Sequence, residues 1–392
     1  MEAADSLPLL RLRDLDSPST RAGFVAALRE ACTHPHSGFF FLEVGDRIPQ
    51  PCCSAALRVA SEFFALPVEE KLQIDLQESP HYRGFARLGS ETTAAITDLR
   101  EYIELGDERA PVAREGAAAH ERMGIGPNQW PAQPPGFRDA MLRYFEAACV
   151  VGEEVMGAVS EALELPPGEL ARRFCAEGAH TRYKPACYRS SSWASAEGVG
   201  VEAQSQGLGA HKDFGFLSLL LQNELGGLEV QRASDGVWIA VSCHDIAGIW
   251  VAFFSRCQRH RCRQAPPIPG TLVVNLGEMA ELVSGGAFVA STHRVLPPSG
   301  SAPRISIPVF YNPSLSAVVT PVELSESLQA CVEARRDAVA MDGTADNRIV
   351  PVYGENWVKG FARSQPAWFQ RHLPDVYEEQ QRLQPVSVRP AL

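Results

Sequence analysis

The sequence predicts an α+β fold with a jelly-roll core, helices on its flanks and an α-rich region at the N-terminus. Three features indicate this fold. Apolar residues recur at helical spacing through much of the chain before residue 179. Short β-rich runs separated by Gly, Pro and Asp follow, which is typical of a sandwich or barrel. Helical patterns then return after residue 320.

The N-terminal region begins with a predicted helix. A serine N-cap, Ser17 or Ser19, precedes apolar residues at three- and four-residue spacing. Residues 38–44, GFFFLEV, predict a strand. Residues 51–73 predict a second helix that closes near Pro67, because proline lacks the N–H that a continuing helix needs.

The middle of the chain changes from helical to β-rich. Residues 80–133 are less regular, and residues 134–165 predict a long helix with an apolar face that includes Met141, Tyr144 and Phe145. The later β-rich runs are SLLLQ, GLEVQ, VWIAV, TLVVNL, FVASTHRV and RISIPVFY. We expect four regions: an N-terminal α/β region at 1–133, connecting helices at 134–178, the jelly-roll core at 179–320 and C-terminal helices at 321–392.

Composition excludes several classes of protein. The 392 residues carry a formal net charge of -11, which argues against a surface built for nucleic acid or an anionic membrane. The N-terminus has no secretory signal pattern, and no apolar run is long enough to cross a bilayer. The ten scattered cysteines indicate reduced thiols. We therefore expect a cytoplasmic monomer that acts on a small molecule.

A metal site is suggested by the run GAHKDFGFLSLLLQ. His211 and Asp213 are two residues apart, so in a strand they share one face while Lys212 points away. By itself this pair is more often a surface histidine beside a turn aspartate. His293, in the run STHRV, could supply a third ligand from another strand, although a lone histidine is more often part of the core.

A carboxylate-binding site is suggested eleven residues later, in RISIPVFYNP. Arg304 and Ser306 share one face of a predicted strand. A buried guanidinium is costly unless paired, and a carboxylate is its natural partner. Taken alone, this pattern is much more typical of an exposed edge strand with alternating polar residues.

The combined order, H-x-D, then a distant His, then R-x-S, is far more specific than its parts. With GGLEVQ, DGVWIA and PPIPGTLVVNLGEMAEL it resembles the isopenicillin N synthase-like branch of the 2-oxoglutarate/Fe(II) dioxygenases. The stretches SGFFFLEV, RGFARLGSETTAAITDLREYIELG and YGENWVKGFARSQPAWFQRHLPD are also similar to that family. The resemblance covers most of the chain.

This resemblance implies a distorted double-stranded β-helix that holds Fe(II) through His211, Asp213 and His293. It also implies 2-oxoglutarate as co-substrate, with its far carboxylate on Arg304 and Ser306. The reaction would use O2, release succinate and CO2, and take ascorbate as an auxiliary reductant. No catalytic residue beyond the metal centre is implied.

The resemblance also bears on the substrate side of the site. Related halogenases lack the carboxylate ligand, so Asp213 favours hydroxylation, desaturation or cyclisation. Phe214 and Phe310 suggest a largely hydrophobic substrate pocket. Relatives carry a Tyr directly before a Pro, whereas this chain reads HTRYKPACY, with Lys184 before the proline. Tyr183 is the candidate for a further 2-oxoglutarate contact, and a core tyrosine is the equally good alternative.

The segment from Val241 to Gln264 departs from the family. Removing its 24 residues would shorten the interval from His211 to His293 from 82 to 58, close to the family's spacing. Val-Ser at its start and Gln at its end can be encoded by splice-site sequences, so we hypothesise a retained intron. Its Cys and His spacing does not match structural zinc sites, and one short basic run, residues 256–263, is more often a solvated loop than a nucleic-acid site.

Three other functions remain open from the sequence. One is an oxidase that, like isopenicillin N synthase, uses no 2-oxoglutarate, with Arg304 and Ser306 holding the substrate's own carboxylate. Another is a catalytically silent binding or sensor protein. The third is a zinc hydrolase, which is weaker because no neighbouring carboxylate is clearly placed as a general base.

Overall fold

The computed structural model describes most of the chain. The described residues are 7–33, 37–93, 96–112, 116–196, 198, 206–232, 235–241, 268, 270–339 and 349–383. The candidate insertion from Val241 to Gln264 therefore lies, apart from Val241, outside the described residues.

Fifteen strands are described. In chain order they are β1 Leu9–Arg11, β2 Phe39–Glu43, β3 Gly84–Ala86, β4 Thr92–Thr93, β5 Ile96–Thr97, β6 Arg100–Gly106, β7 His180–Tyr183, β8 Ala186–Tyr188, β9 Leu208–His211, β10 Leu217–Gln222, β11 Leu228–Gln231, β12 Trp238–Ala240, β13 Thr271–Leu276, β14 His293–Val295 and β15 Arg304–Asn312.

The described helices surround these strands. They are α1 Pro18–Cys32, α2 Gln50–Phe64, α3 Val68–Lys71, α4 Ala119–Gly124, α5 Phe137–Ala162, α6 Glu169–Phe174, α7 Ser191–Ala196, α8 Glu278–Val283, α9 Glu326–Val339, α10 Tyr353–Ser364, α11 Pro366–His372 and α12 Pro374–Leu383. None of these described helices has both the length and the apolar character that crossing a membrane requires.

Two sheets form the β core. The major sheet has nine strands in the order β1-β2-β13-β10-β15-β7-β6-β3, with β8 paired to β15 and β6. The minor sheet has the order β12-β11-β14-β9. Residues of both sheets line one large cavity, so the core is a sandwich that is open at its centre.

The helices that the sequence predicts are present, with local causes that can be identified. Ser17 is the N-cap of α1, because its hydroxyl accepts a hydrogen bond from the backbone N–H of Ser19. Pro67 separates α2 from the short α3, as its missing N–H requires. Helix α5 buries the predicted face and packs against α1, α2 and the major sheet.

Strand β6 is the main element that sequence patterns missed. It crosses the region predicted to be irregular, and it carries two fully or almost fully buried glutamates, Glu101 and Glu104. Charged residues at buried positions hide the apolar pattern by which a strand is usually recognised. The N-terminal region thus contributes β1, β2, β3 and β6 to the major sheet in addition to its helices.

Candidate active site

Two neighbouring strands of the minor sheet bring the candidate ligands together. β9 and β14 are antiparallel with His211 opposite His293, and the two ring centroids lie 4.3 Å apart. Asp213 follows β9, and its Oδ1 lies 3.7 Å from Nε2 of His211 and 3.8 Å from Nε2 of His293. The three ligand atoms lie within 4.8 Å of one another, which is compatible with one metal ion between them.

Backbone carbonyls orient both imidazoles. Nδ1 of His211 lies 2.8 Å from the carbonyl oxygen of Gly209, and Nδ1 of His293 lies 3.2 Å from that of Ser291. A carbonyl can only accept, so each Nδ1 must carry the proton and each Nε2 keeps a lone pair. This is the second interaction that metal-binding histidines usually make.

The Asp213 carboxylate is held by its other oxygen. Oδ2 accepts hydrogen bonds from the hydroxyl of Ser218, at 2.5 Å, and from the amide of Asn275, at 2.9 Å. Burial opposes its ionisation, but the adjacent histidines and these hydrogen bonds outweigh burial and lower its pKa. Burial, followed by the nearby His293, lowers the pKa of His211 to about 3. Two neutral imidazoles and one carboxylate suit non-haem Fe(II).

The loop between β9 and β10 is held by the start of α8. The N–H of Glu278 donates to the carbonyl of Asp213 at 2.8 Å, and that of Met279 donates to the carbonyl of Gly215 at 3.0 Å. A Cβ on Gly277 would lie 2.3 Å from the carbonyl oxygen of Gly215 and 2.7 Å from that of Asp213. Glycine is therefore needed for this close approach.

Arg304 and Ser306 are buried on the inward face of β15, where they are 0% and 1% exposed. Nη2 of Arg304 donates to Gln222 at 2.7 Å, and the guanidinium lies 5.0 Å from the ring centroid of Tyr188. Within the described part of the chain, Nε and Nη1 of Arg304 have no hydrogen-bond partner. Burial lowers the pKa of Arg304, and a buried guanidinium with unpaired donors fits an anionic ligand.

One cavity of about 2200 Å³ joins the two sites. His211, Asp213 and His293 line it together with Arg304 and Ser306. Helices α10, α11 and α12 also contribute to its wall.

The wall of the cavity carries both apolar and charged side chains. Phe214 and Phe310 both line it, as expected. Charged side chains line it too, among them Arg100, Arg182 and Lys184. The surface that lines the cavity is mainly apolar, and strand alternation also directs these buried charges into it.

Tyr183 is not placed as the candidate role requires. It lies on the opposite face of β7 from Arg182, and its ring stacks on Phe145 of α5 with centroids 4.3 Å apart. This is the core position that was the alternative for this residue. Tyr188 instead lines the cavity next to Arg304. Alternate residues of a strand share a face, so counting from Arg182 in steps of two would have identified Tyr188 as a tyrosine that faces the cavity.

Comparisons with known proteins agree with this geometry. Residues 7–133 match the family described as non-haem dioxygenase in morphine synthesis N-terminal. Residues 181–253 and 252–313 match the 2OG-Fe(II) oxygenase superfamily. A 2-oxoglutarate-dependent dioxygenase of Gibberella zeae is 32% identical, covering 95% of this chain and 92% of the relative. A homoarginine-6-hydroxylase of Arabidopsis thaliana is 28% identical, covering 77% of this chain and 80% of the relative.

Solved structures share the fold. A full-length Neurospora crassa protein in complex with alpha-KG superimposes with a TM-score of 0.62 at 22% identity, covering 86% of this chain and 99% of that one. JOX2 in complex with 2OG, Fe and JA gives a TM-score of 0.62 at 22% identity, covering 94% of this chain and 89% of that one. At this identity the likeness concerns the fold, and it confirms the predicted jelly-roll core with flanking helices.

Proposed function

Since this chain belongs to the 2-oxoglutarate/Fe(II) oxygenase superfamily, we propose that His211, Asp213 and His293 hold its catalytic iron. The protein is a 2-oxoglutarate-dependent dioxygenase that oxidises a small organic substrate and releases succinate and CO2. The observation that carries the ligand assignment is the convergence of two Nε2 atoms and one carboxylate oxygen, each with its other polar atom already hydrogen bonded.

We assign the far carboxylate of 2-oxoglutarate to Arg304 and Ser306. The unpartnered donors on Arg304 among the described residues support this assignment, because burying them without an anion would cost stability. Tyr188 replaces Tyr183 as the proposed tyrosine contact, since its ring lies beside the Arg304 guanidinium.

The chain's own residues prepare the site for chemistry. The bound iron supplies the redox chemistry that couples O2 to oxidation of 2-oxoglutarate and of the substrate. The carbonyls of Gly209 and Ser291 keep the protons on the Nδ1 atoms of the two histidines. Ser218 and Asn275 bind Oδ2 of Asp213 and leave its Oδ1 facing the two Nε2 atoms, where the three groups would hold the iron. Phe214 contributes apolar surface to the wall of the cavity.

Finer assignments are part of the same proposal. The order of motifs supports the isopenicillin N synthase-like branch, and the carboxylate ligand Asp213 supports hydroxylation, desaturation or cyclisation. The acidic balance and the reduced cysteines support a cytoplasmic monomer.

Anaerobic reconstitution tests the ligand assignment. Wild-type protein with Fe(II) and 2-oxoglutarate is expected to show the visible charge-transfer band of the chelated co-substrate, and to release succinate when O2 and a metabolite library are added. H293A is expected to lose both signals, because an imidazole ligand is removed. His372→Ala is the matched control, since the His372 ring contacts the carbonyl of Gln77 and the ring of Trp368 and does not line the cavity.

Two outcomes would contradict the proposal. A folded H293A that keeps the band would remove His293 from the ligand set. Iron-dependent substrate oxidation without succinate formation would favour the oxidase that uses no 2-oxoglutarate.

A further inference from the structure

Two buried cations, Arg182 and Lys184, line the cavity away from Arg304; we call them the cationic pair. Arg182 is 4% exposed and Lys184 is 6% exposed. Lys184 stands directly before Pro185, where relatives of the resembled branch carry tyrosine. The proposed binding of iron and 2-oxoglutarate uses neither side chain.

Strand register places the cationic pair beside the metal site. Ser218, which holds Asp213, is paired with Phe310 of β15, and Phe310 is paired with Arg182 of β7. Two strand spacings of about 4.8 Å put Arg182 on the order of 10 Å from Ser218. A small substrate could thus reach the metal site while one end contacts the cationic pair.

The same register separates Arg182 from Arg304 of the 2-oxoglutarate site, and Lys184, whose N–H donates to the carbonyl of Pro308, lies between them. Phe310 and Arg304 are six residues apart on β15, which corresponds to about 20 Å along the strand. One carboxylate cannot contact both Arg182 and Arg304. The cationic pair is therefore a second site for negative charge in the same cavity.

The positive charge of the cationic pair is only partly balanced by the carboxylate beside it. Glu104 is fully buried behind it and serves both members: it accepts from Nη1 of Arg182 at 2.5 Å and lies 3.3 Å from Nζ of Lys184. Nε of Arg182 has no hydrogen-bond partner among the residues that the structure describes. Two cations on one carboxylate leave one net positive charge at almost fully buried positions, which favours a monoanion.

A second carboxylate, Glu91, does not remove this excess. It lies 4.0 Å from Lys184 but is paired with Arg100 and accepts a hydrogen bond from the hydroxyl of Tyr102 at 2.8 Å. Its own charge is thus matched by Arg100.

Aromatic rings surround the cationic pair. The guanidinium of Arg182 lies 4.7 Å from the ring centroid of Phe310 and 5.0 Å from that of Phe361. Nζ of Lys184 lies 4.1 Å from the ring centroid of Tyr102. These rings exclude water, which strengthens the attraction to a bound anion, and the cavity-lining Phe310 offers apolar contact to the rest of the ligand.

From these contacts we propose that the substrate of this enzyme is a carboxylic acid, whose carboxylate binds Arg182 and Lys184 while its apolar part lies against Phe310. The inference rests on the proposed function, because the oxidised carbon must lie near the iron.

Matched acids and methyl esters test this inference. The holoenzyme with Fe(II) and 2-oxoglutarate is titrated under anaerobic conditions with phenylacetate, 3-phenylpropionate and hexanoate, and with the methyl ester of each, and binding is measured by calorimetry. At least one acid is expected to bind at least about tenfold more tightly than its ester, since the ester cannot form the charge-assisted hydrogen bonds. K184M is expected to abolish this preference.

Lys71→Met is the matched control. Glu101 likewise serves two cations, Lys71 at 2.5 Å and Arg189 at 3.1 Å, but these three residues lie outside the cavity. K71M therefore removes a similar buried ion pair and is expected to keep the preference for the acid.

The outcomes separate this inference from the proposed function. Equal affinity for acids and esters, or no detectable binding of any acid, would overturn it, even if K184M fails to fold. The charge-transfer band is recorded in the same samples: its presence without a preference for acids rejects only the carboxylate inference, whereas its absence rejects the proposed function.

Discussion

At the scale of single residues, the site depends on which polar atoms of each side chain already form hydrogen bonds within the protein. Oδ2 of Asp213 is engaged by Ser218 and Asn275, so Oδ1 is the atom that faces the histidines. Arg304 shows the complementary case: one nitrogen is bonded to Gln222, and buried donors remain for a ligand. Because only some polar atoms of each side chain are hydrogen bonded within the protein, specific atoms remain to bind the metal and the co-substrate.

The two tyrosines near the co-substrate site give a prediction at this scale. Y188F is expected to raise the KM for 2-oxoglutarate several-fold, because it removes a hydroxyl beside Arg304. Y183F is expected to leave that KM unchanged and to stabilise the fold by about 1 kcal/mol, since the Tyr183 hydroxyl is buried without a partner in the described structure. Steady-state kinetics and thermal unfolding measure both effects. A raised KM in Y183F alone would restore Tyr183 to the site.

At the scale of elements, the metal site depends on how the loop after β9 is held. The first N–H groups of α8 bond to carbonyls of residues 213–216, and the loop therefore lies directly against the helix start. Strand β15 also positions side chains of the site. Alternate residues from Arg304 to Phe310 face the cavity, and Ile305, Ile307 and Val309 between them are buried in the core. The positions of ligands thus follow from strand alternation and one helix terminus.

Gly277 provides the prediction for this element. G277A is expected to lower both the melting temperature and the affinity for Fe(II), because its Cβ would displace the carbonyls of Gly215 and Asp213. Gly157→Ala in α5 is the control: its Cβ would meet nothing within 4 Å, and alanine favours a helix by about 0.5–1 kcal/mol. Iron titration and thermal unfolding compare the two variants. A G277A protein as stable as wild type would show that the loop can relax.

At the scale of the whole molecule, the site is assembled from segments far apart in the chain. The minor sheet supplies His211 and His293, the major sheet supplies Arg304, and the N-terminal region supplies Glu104 behind the cationic pair. The match to the oxygenase superfamily is split into two ranges that meet at residues 252–253, inside the candidate insertion. The family pattern is thus interrupted between β12 and β13.

A shortened protein tests the candidate insertion. Removing Val241 to Gln264 is expected to give a folded enzyme with the charge-transfer band, because residues 265–270 can still span up to about 20 Å between the strands. Circular dichroism and iron titration compare it with the full-length protein. Sequencing of the mature message is the independent test. A message that retains the 24 codons, or a shortened protein that does not fold, would contradict the retained intron.

The sequence by itself identified the candidate metal ligands and the co-substrate arginine, because H-x-D and R-x-S each place two side chains on one strand face and their order with the distant histidine resembles that of a known family. It also determined the long helix α5, whose apolar face is periodic. Only the tertiary structure decided that Tyr183 packs on Phe145, that Tyr188 faces Arg304 and that β6 brings Glu104 behind Arg182 and Lys184. The physical reason is that spacing along a strand tells which residues share a face. It does not tell which face meets the cavity, or which charges a distant strand places behind it.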